Sequence, residues 1–221
     1  MFACGRTSLR TSGRRGDSPR RGDRVQLTGD CSHAVPSPRR DLVSFGRLGH
    51  SLAAPPADGD KFMPTITPEE LMQMAIDVCR EGLARGQSPF GCAIAIGDRV
   101  VARSHNSVVL TTDITAHAEV NAIRAGNKEV GDIFLTGGIV ATTCEPCPMC
   151  MAALHWARVD TVYYGATIAD AESAGFNELQ LPAKQLLEIG GSTLKLVEGT
   201  LAEECKKLFQ EWLSSPTRKV Y

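Results

Sequence analysis

Two short clusters in this chain hold residues that could do chemistry together. His117 and Glu119 lie two apart, and further along Cys147 and Cys150 lie three apart. A neutral imidazole and two thiolates suit Zn²⁺ at about 2.0–2.3 Å, and three protein ligands leave a fourth position for water, the arrangement of a catalytic zinc. With those ligands the ion carries no net charge, so its water is acidified less than at an all-histidine site and a neighbouring base is needed. Glu119, in the first turn of its helix, is placed to take that proton and pass it to a departing group without ligating the metal.

The elements that must position these groups follow from the spacing. Residues three apart share a helix face, so Cys147 and Cys150 can bite one ion together. Pro148 fits the first turn, where its missing N–H costs nothing. A helix that opens at Cys147 turns free N–H groups and partial positive charge toward the sulfurs, favouring the thiolates that metal binding requires. A second helix opens at His117, after the turn-forming run Thr111-Thr112-Asp113-Ile114-Thr115. One rival stays open: Cys144, three residues before Cys147, could close the site as a fourth ligand and make the zinc structural. His33, His50, His105 and His155 fall outside the pattern; His155 is five residues from Cys150, poor spacing for a shared face.

The composition sets the frame. Of 221 residues, 43% are hydrophobic and 22% charged, ordinary for a soluble globular chain. No apolar run approaches the roughly 18–20 residues of a membrane span. Three of the eight cysteines crowd between Cys144 and Cys150, which favours metal binding in a reducing, cytoplasmic compartment over a disulfide framework. Residues 1–60 hold ten Arg and six Asp with no Lys or Glu, a net +4, while the rest carries the −5 that brings the whole to −1. Residues 1–62 are therefore expected to be a disordered extension or a mis-assigned start, since Met63 leads directly into a capped helix; a targeting peptide and a basic arm are the other readings. Residues 63–221 form the working domain.

Within that domain helix and strand alternate. Thr67, Pro68 and Glu70 make a capping box, followed by apolar residues at helical spacing up to Gly86. Residues 92–96 and 99–104 form a hairpin around Gly97-Asp98. The His117 helix runs to about Gly126, and a buried strand over 138–143 enters Cys144. The Cys147 helix reaches about Ala157. A strand over 160–165, a helix over 182–189, a strand over 193–197 and a helix over 202–213 complete the chain, with an extended loop from Asp170 to Pro182. The pattern predicts a three-layer α/β/α sandwich around a mixed five-stranded sheet, its later β-α-β units parallel and right-handed.

These motifs, together with Pro89-Phe90-Gly91, His105-Asn106, Thr115-Ala116-His117-Ala118-Glu119-Val120 and Cys144-Glu145-Pro146-Cys147-Pro148-Met149-Cys150, resemble the cytidine deaminase-like superfamily from about residue 67 onward. Trp156-Ala157-Arg158, the run Asp170 to Phe176 and the aromatic-basic tail ending in Tyr221 narrow the resemblance to bacterial guanine deaminases and plant guanosine deaminases. The resemblance implies a Zn²⁺ cofactor on His117, Cys147 and Cys150, with Glu119 as proton shuttle. It implies that Asn106 hydrogen-bonds a base, Phe90 stacks on it, the Ala118 N–H meets its acceptor, and Trp156 and Tyr221 line the pocket. After Gly175-Phe176 such enzymes carry two acids; here Asn177 and Glu178 stand in their place, leaving Glu178 as the second shuttle and anchor.

The implied reaction is guanine to xanthine plus ammonia, on a small-molecule nucleobase, as part of purine metabolism. The implied assembly is a homodimer, with exchange of C-terminal segments between subunits. Guanosine, cytosine and adenosine in tRNA are the other substrates to weigh, and a structural-zinc binding protein is the rival from another class. An RNA enzyme should present a basic surface, and the −5 body does not favour one. No membrane partner is expected.

Overall fold

The computed structural model describes residues 66–216, 218 and 219, and the expectation for residues 1–62 lies outside them. The element order is α1 (Pro68–Ala84), β1 (Gly91–Ile96), β2 (Arg99–His105), α2 (Val108–Thr111), α3 (Ala118–Val130), β3 (Gly138–Cys144), α4 (Pro148–Trp156), β4 (Thr161–Ala166), α5 (Ile168–Ser173), α6 (Ala183–Gly190), β5 (Lys195–Val197) and α7 (Ala202–Leu213). The strands form one five-stranded sheet in the order β2-β1-β3-β4-β5. β1 runs antiparallel to β2 and β3, whereas β3, β4 and β5 are parallel, so the sheet is mixed as expected.

Alternation along the strands builds two cores. Ala93, Ala95 and Ala141 face one way, against Leu71, Ile76 and Cys79 of α1 and Leu208, Phe209 and Trp212 of α7. Their neighbours Cys92, Ile94, Val140 and Val162 face the other way, against Ala118 and Ala122 of α3, Met151 and Leu154 of α4, and Leu187 of α6. Successive strand residues point to opposite faces, so a sheet apolar on both faces needs helices on both. That is the three-layer arrangement.

Local signals explain the element ends. Thr67 accepts the Glu70 N–H while the Glu70 carboxylate accepts the Thr67 N–H, closing the capping box of α1. The hairpin turns at Gly97, whose φ of +62° suits glycine at the first position of a two-residue loop. Alanine-rich β1 lets α1 lie close: a Cβ at Gly91 would sit 2.1 Å from the Ala75 carbonyl oxygen. α3 runs past Gly126 to Val130 and stops at Gly131 in the left-handed conformation; Gly126 is buried against Leu135 and Val101, so it is a packing glycine and not a stop. Two short helices were not expected: α2 ends at Thr111, where the expected turn begins, and α5 runs into the first residues of the loop expected from Asp170.

Candidate active site

The site forms at the carboxyl end of β3, where two helices begin. His117 is the N-cap of α3 and Cys147 the N-cap of α4, both in extended backbone, and neither side chain makes a capping hydrogen bond. Positions normally held by Ser, Thr, Asp or Asn thus aim their donor atoms outward while the first-turn N–H groups supply positive potential behind them. Cys150 completes the group one turn into α4. The donor atoms of His117, Cys147 and Cys150 lie within 4.8 Å of one another. His117 Nδ1 is 3.7 Å from the Cys147 Sγ and 3.5 Å from the Cys150 Sγ. A tetrahedral zinc with Zn–N of about 2.0–2.1 Å and Zn–S of about 2.3 Å has N···S edges of about 3.6 Å, so the three residues fit the ion.

The electrostatics agree. The hydrogen bond from Cys150 and the charge of His117 bring the Cys147 thiol down to about 4, against the opposing effect of burial. The same hydrogen bond, with burial, holds Cys150 well above the ordinary thiol value. Burial works against an imidazolium at His117, but the Cys147 thiolate, Glu119 and Glu178 outweigh it and raise its pKa. Thiolate and imidazole favour one another here, and both are donors that a divalent ion can take.

Cys144 is not part of this group. Its Sγ donates to the Thr167 carbonyl at 3.4 Å, and burial pushes its thiol well up. The Cys₃His site considered above is therefore disfavoured, and the fourth direction is left to solvent or substrate.

Glu119 is buried, and its Oε1 accepts from the Thr142 hydroxyl of β3 at 3.2 Å. Burial first, and Cys147 second, lift its carboxyl above the usual range. Such a group holds and releases a proton nearer neutral pH than a surface glutamate does.

Above these residues opens a cavity of about 320 Å³. Its floor is His117, Glu119 and Cys147; its walls include Phe90, Phe176 and Glu178, with Ile114, Met149 and Leu179 at an apolar rim. Phe90 arrives because β1 pairs with β3 and places its first residues beside Thr142; the Gly91 N–H donates to Thr143 Oγ1 at 3.0 Å. The Phe90 ring packs edge-on against Phe176 at 4.9 Å and Phe209 at 5.8 Å. Glu178 is half-buried in the loop after α5; burial raises its pKa, with the Cys147 thiolate as the second cause.

The other sequence-predicted residues are placed differently. Asn106 is fully buried outside the cavity wall, its Oδ1 accepting the Val108 N–H at 3.1 Å, a turn-forming duty at the start of α2. Ala118 is the first residue of α3, so its N–H has no intrahelical acceptor. Trp156 is a correction: it does not line this cavity but is 77% exposed, beside Ile133, Phe134 and Arg158 in a separate hollow. It lies six residues past Cys150 and nine past Cys147, which at about 100° per residue turns it to the far side of α4. Tyr221 lies outside the described residues.

Two polar contributors were not singled out in the sequence. Thr142, which orients Glu119, lies in an apolar strand pattern and is reached only through tertiary pairing. Glu145 accepts the Ala183 N–H at 2.8 Å and the Ile168 N–H at 3.2 Å, linking segments far apart in sequence; it stood in the motif without a role.

Comparison with known proteins now bears on this geometry. The family model for the cytidine and deoxycytidylate deaminase zinc-binding region matches residues 65–166. A guanine deaminase of Bacillus subtilis (strain 168) is 36% identical over 160 residues, covering 69% of this chain and 98% of that protein. The chain belongs to the cytidine and deoxycytidylate deaminase family. This deaminase is also 39% identical over 95 residues to a tRNA-specific adenosine deaminase of Agrobacterium fabrum, a match covering 43% of this chain and 62% of that protein. The solved structure of a guanine deaminase from Nitrosomonas europaea superposes with a TM-score of 0.62 at 23% identity, covering 76% of this chain and all of that one, which is a likeness of fold. The deaminase is thus a hydrolase with the family's zinc-binding region and a His/Cys/Cys group that could hold a metal ion, and among its described residues no helix is long and apolar enough to cross a membrane.

Proposed function

We propose that the deaminase, in residues 63–221, converts guanine and water to xanthine and ammonia. The observation that carries this reading is the cavity wall: an aromatic ring, Phe90, and a second carboxylate, Glu178, across from the buried base Glu119, with no lysine or arginine among the lining residues. A flat, polar, uncharged heterocycle suits such walls, whereas a nucleotide would bring a phosphate to a cavity lined by the carboxylates of Glu119, Glu145 and Glu178 and by no lysine or arginine. The 36% identity to a guanine deaminase over almost its whole length supports the same substrate.

When bound, zinc would be held by His117, Cys147 and Cys150 and would supply an acidified water. The water oxygen bonds to the ring carbon as the carbon–amine bond breaks; Glu119 takes one proton of the water and delivers it to the amine nitrogen, which leaves as ammonia, and the second proton ends on a ring nitrogen of the product. Thr142 holds the Glu119 carboxylate by its Oε1. Phe90 bounds one face of the ring, and the raised pKa of Glu178 lets it share a proton with a ring nitrogen and anchor the base. The Ala118 N–H offers a donor at the head of α3. A homodimer belongs to the same reading, supported by the exposed apolar side chains Ile133 and Trp156 and checked by light scattering on the full chain.

The test is ammonia release from guanine, guanosine, cytosine, adenine and an adenosine-bearing tRNA stem-loop by the full chain. Guanine is expected to be turned over with the highest kcat/KM. Preference for the stem-loop would overturn the substrate assignment in favour of RNA, for which the Agrobacterium relative is the precedent.

A further inference from the structure

The part of the cavity that faces substrate from above is the segment between α5 and α6, residues 174–182, which supplies Phe176, Asn177, Glu178 and Leu179. Its own backbone hydrogen bonds are local: Gly175 to Glu172, Phe176 to Ala171 and Leu181 to Leu179. The helix that follows begins at a proline N-cap, Pro182, which has no side-chain acceptor to offer. The missing acceptor comes from Glu145, two residues before the zinc ligand Cys147. Glu145 Oε1 accepts the Ala183 N–H at 2.8 Å where α6 begins, and Oε2 accepts the Ile168 N–H at 3.2 Å where α5 begins. Its own N–H donates to the Ala166 carbonyl at 2.8 Å, fastening it to the end of β4.

We propose that Glu145 is a positioning residue that ties the start of α5 and the start of α6, the helices flanking the 174–182 loop, to the segment that carries Cys147, and so sets the height of Phe176 and Glu178 above the floor. Both of its oxygens are occupied by backbone donors, which separates it from Glu119 and Glu178 as carriers of protons. A carboxylate is suited to this because each oxygen accepts independently and charge-assisted bonds to N–H groups at helix starts are strong. The kinetic part of the proposal rests on the deaminase reading above; the structural part does not.

The test uses the full chain with Glu145→Gln, Glu145→Ala, Glu178→Gln and the Glu145→Gln/Glu178→Gln pair. Glutamine keeps the shape but has one acceptor atom in place of two, so it still reports if the alanine variant fails to fold. Hydrogen exchange over residues 168–183 is expected to quicken by about tenfold or more in Glu145→Gln, with that of β3 and α4 unchanged. Zinc content is expected to stay at the wild-type level. The kcat/KM for guanine is expected to fall by about tenfold, mainly through KM, as misplacement of a substrate-facing loop demands. In the Glu178→Gln background most of that loss should disappear, because the two residues act through one placement. Unchanged exchange over 168–183, unchanged kcat/KM, or losses that multiply in full in the pair would each overturn the proposal. Should the wild-type chain not act on guanine at all, the substrate reading fails and the exchange comparison alone decides the role of Glu145.

Discussion

The floor and the roof of the cavity are built on different terms. The floor is three donor atoms and a carboxylate fixed at the starts of α3 and α4, with Cys150 and Glu119 buried, His117 and Cys147 half-buried, and Glu119 backed by the sheet through Thr142. The roof is a loop without regular structure, carrying Glu178 and Phe176 and joined to the rest by Glu145 and by aromatic packing of Phe176 on Phe90 and Trp212. Chemistry that tolerates little displacement sits on rigid elements, while recognition sits on a loop whose sequence can change without disturbing them. The substitution of Asn177 and Glu178 for two acids falls on the roof, where this division leaves room for it.

The largest effect is expected from the floor. Cys150→Ser should release zinc and abolish turnover, measured by metal content and ammonia assay on the same sample; full zinc occupancy in that variant would break the assignment of the ligands. Next, Gly91→Ala forces a Cβ onto the Ala75 carbonyl and should cost about 3 kcal/mol in denaturant unfolding, showing that the β1 approach bringing Phe90 to the cavity depends on glycine. Glu178→Gln should lower kcat/KM for guanine by about tenfold with zinc unchanged, a loss of the size expected for a recognition contact rather than the central base. Because burial raises the Glu178 pKa, its ionised form is lost as pH falls through a value above the ordinary carboxylate one of about 4.3. The acid limb of kcat/KM should therefore lie above that value and shift in the glutamine variant. The smallest effect is remote from both regions: Thr67→Ala removes the α1 cap and should cost about 1 kcal/mol of stability without altering kcat/KM.

The same division governs what could be read in the chain. The convergence of His117, Cys147 and Cys150 and the place of Glu119 beside them were legible because their geometry is local: a spacing of two or three residues on a helix start determines which atoms come together. So were the five strands and the sandwich, since alternating apolar strands imply covered faces. Trp156 was misplaced although its distance from the cysteines already turned it to the other side of α4; resemblance outweighed the helix period there. The capping box at Thr167 and Asp170 that starts α5 is also present in the sequence, just ahead of and at the first residue of the stretch expected to be loop. Thr142 and Glu145 were not legible, because each acts on a residue that only the fold brings near. Asn106 lies between: its turn duty could be anticipated from its type, and the fold shows its Oδ1 engaged in that way.

The most direct measurement is the rate of ammonia release from guanine by zinc-matched samples of wild type and Glu119→Gln, each assayed for metal on the same preparation. The buried acid above the His117, Cys147 and Cys150 group is expected to carry the proton, so the variant should keep its zinc and lose about 10²- to 10⁴-fold in kcat. A Glu119→Gln protein that holds zinc and turns guanine over at the wild-type rate would contradict the assignment of the floor.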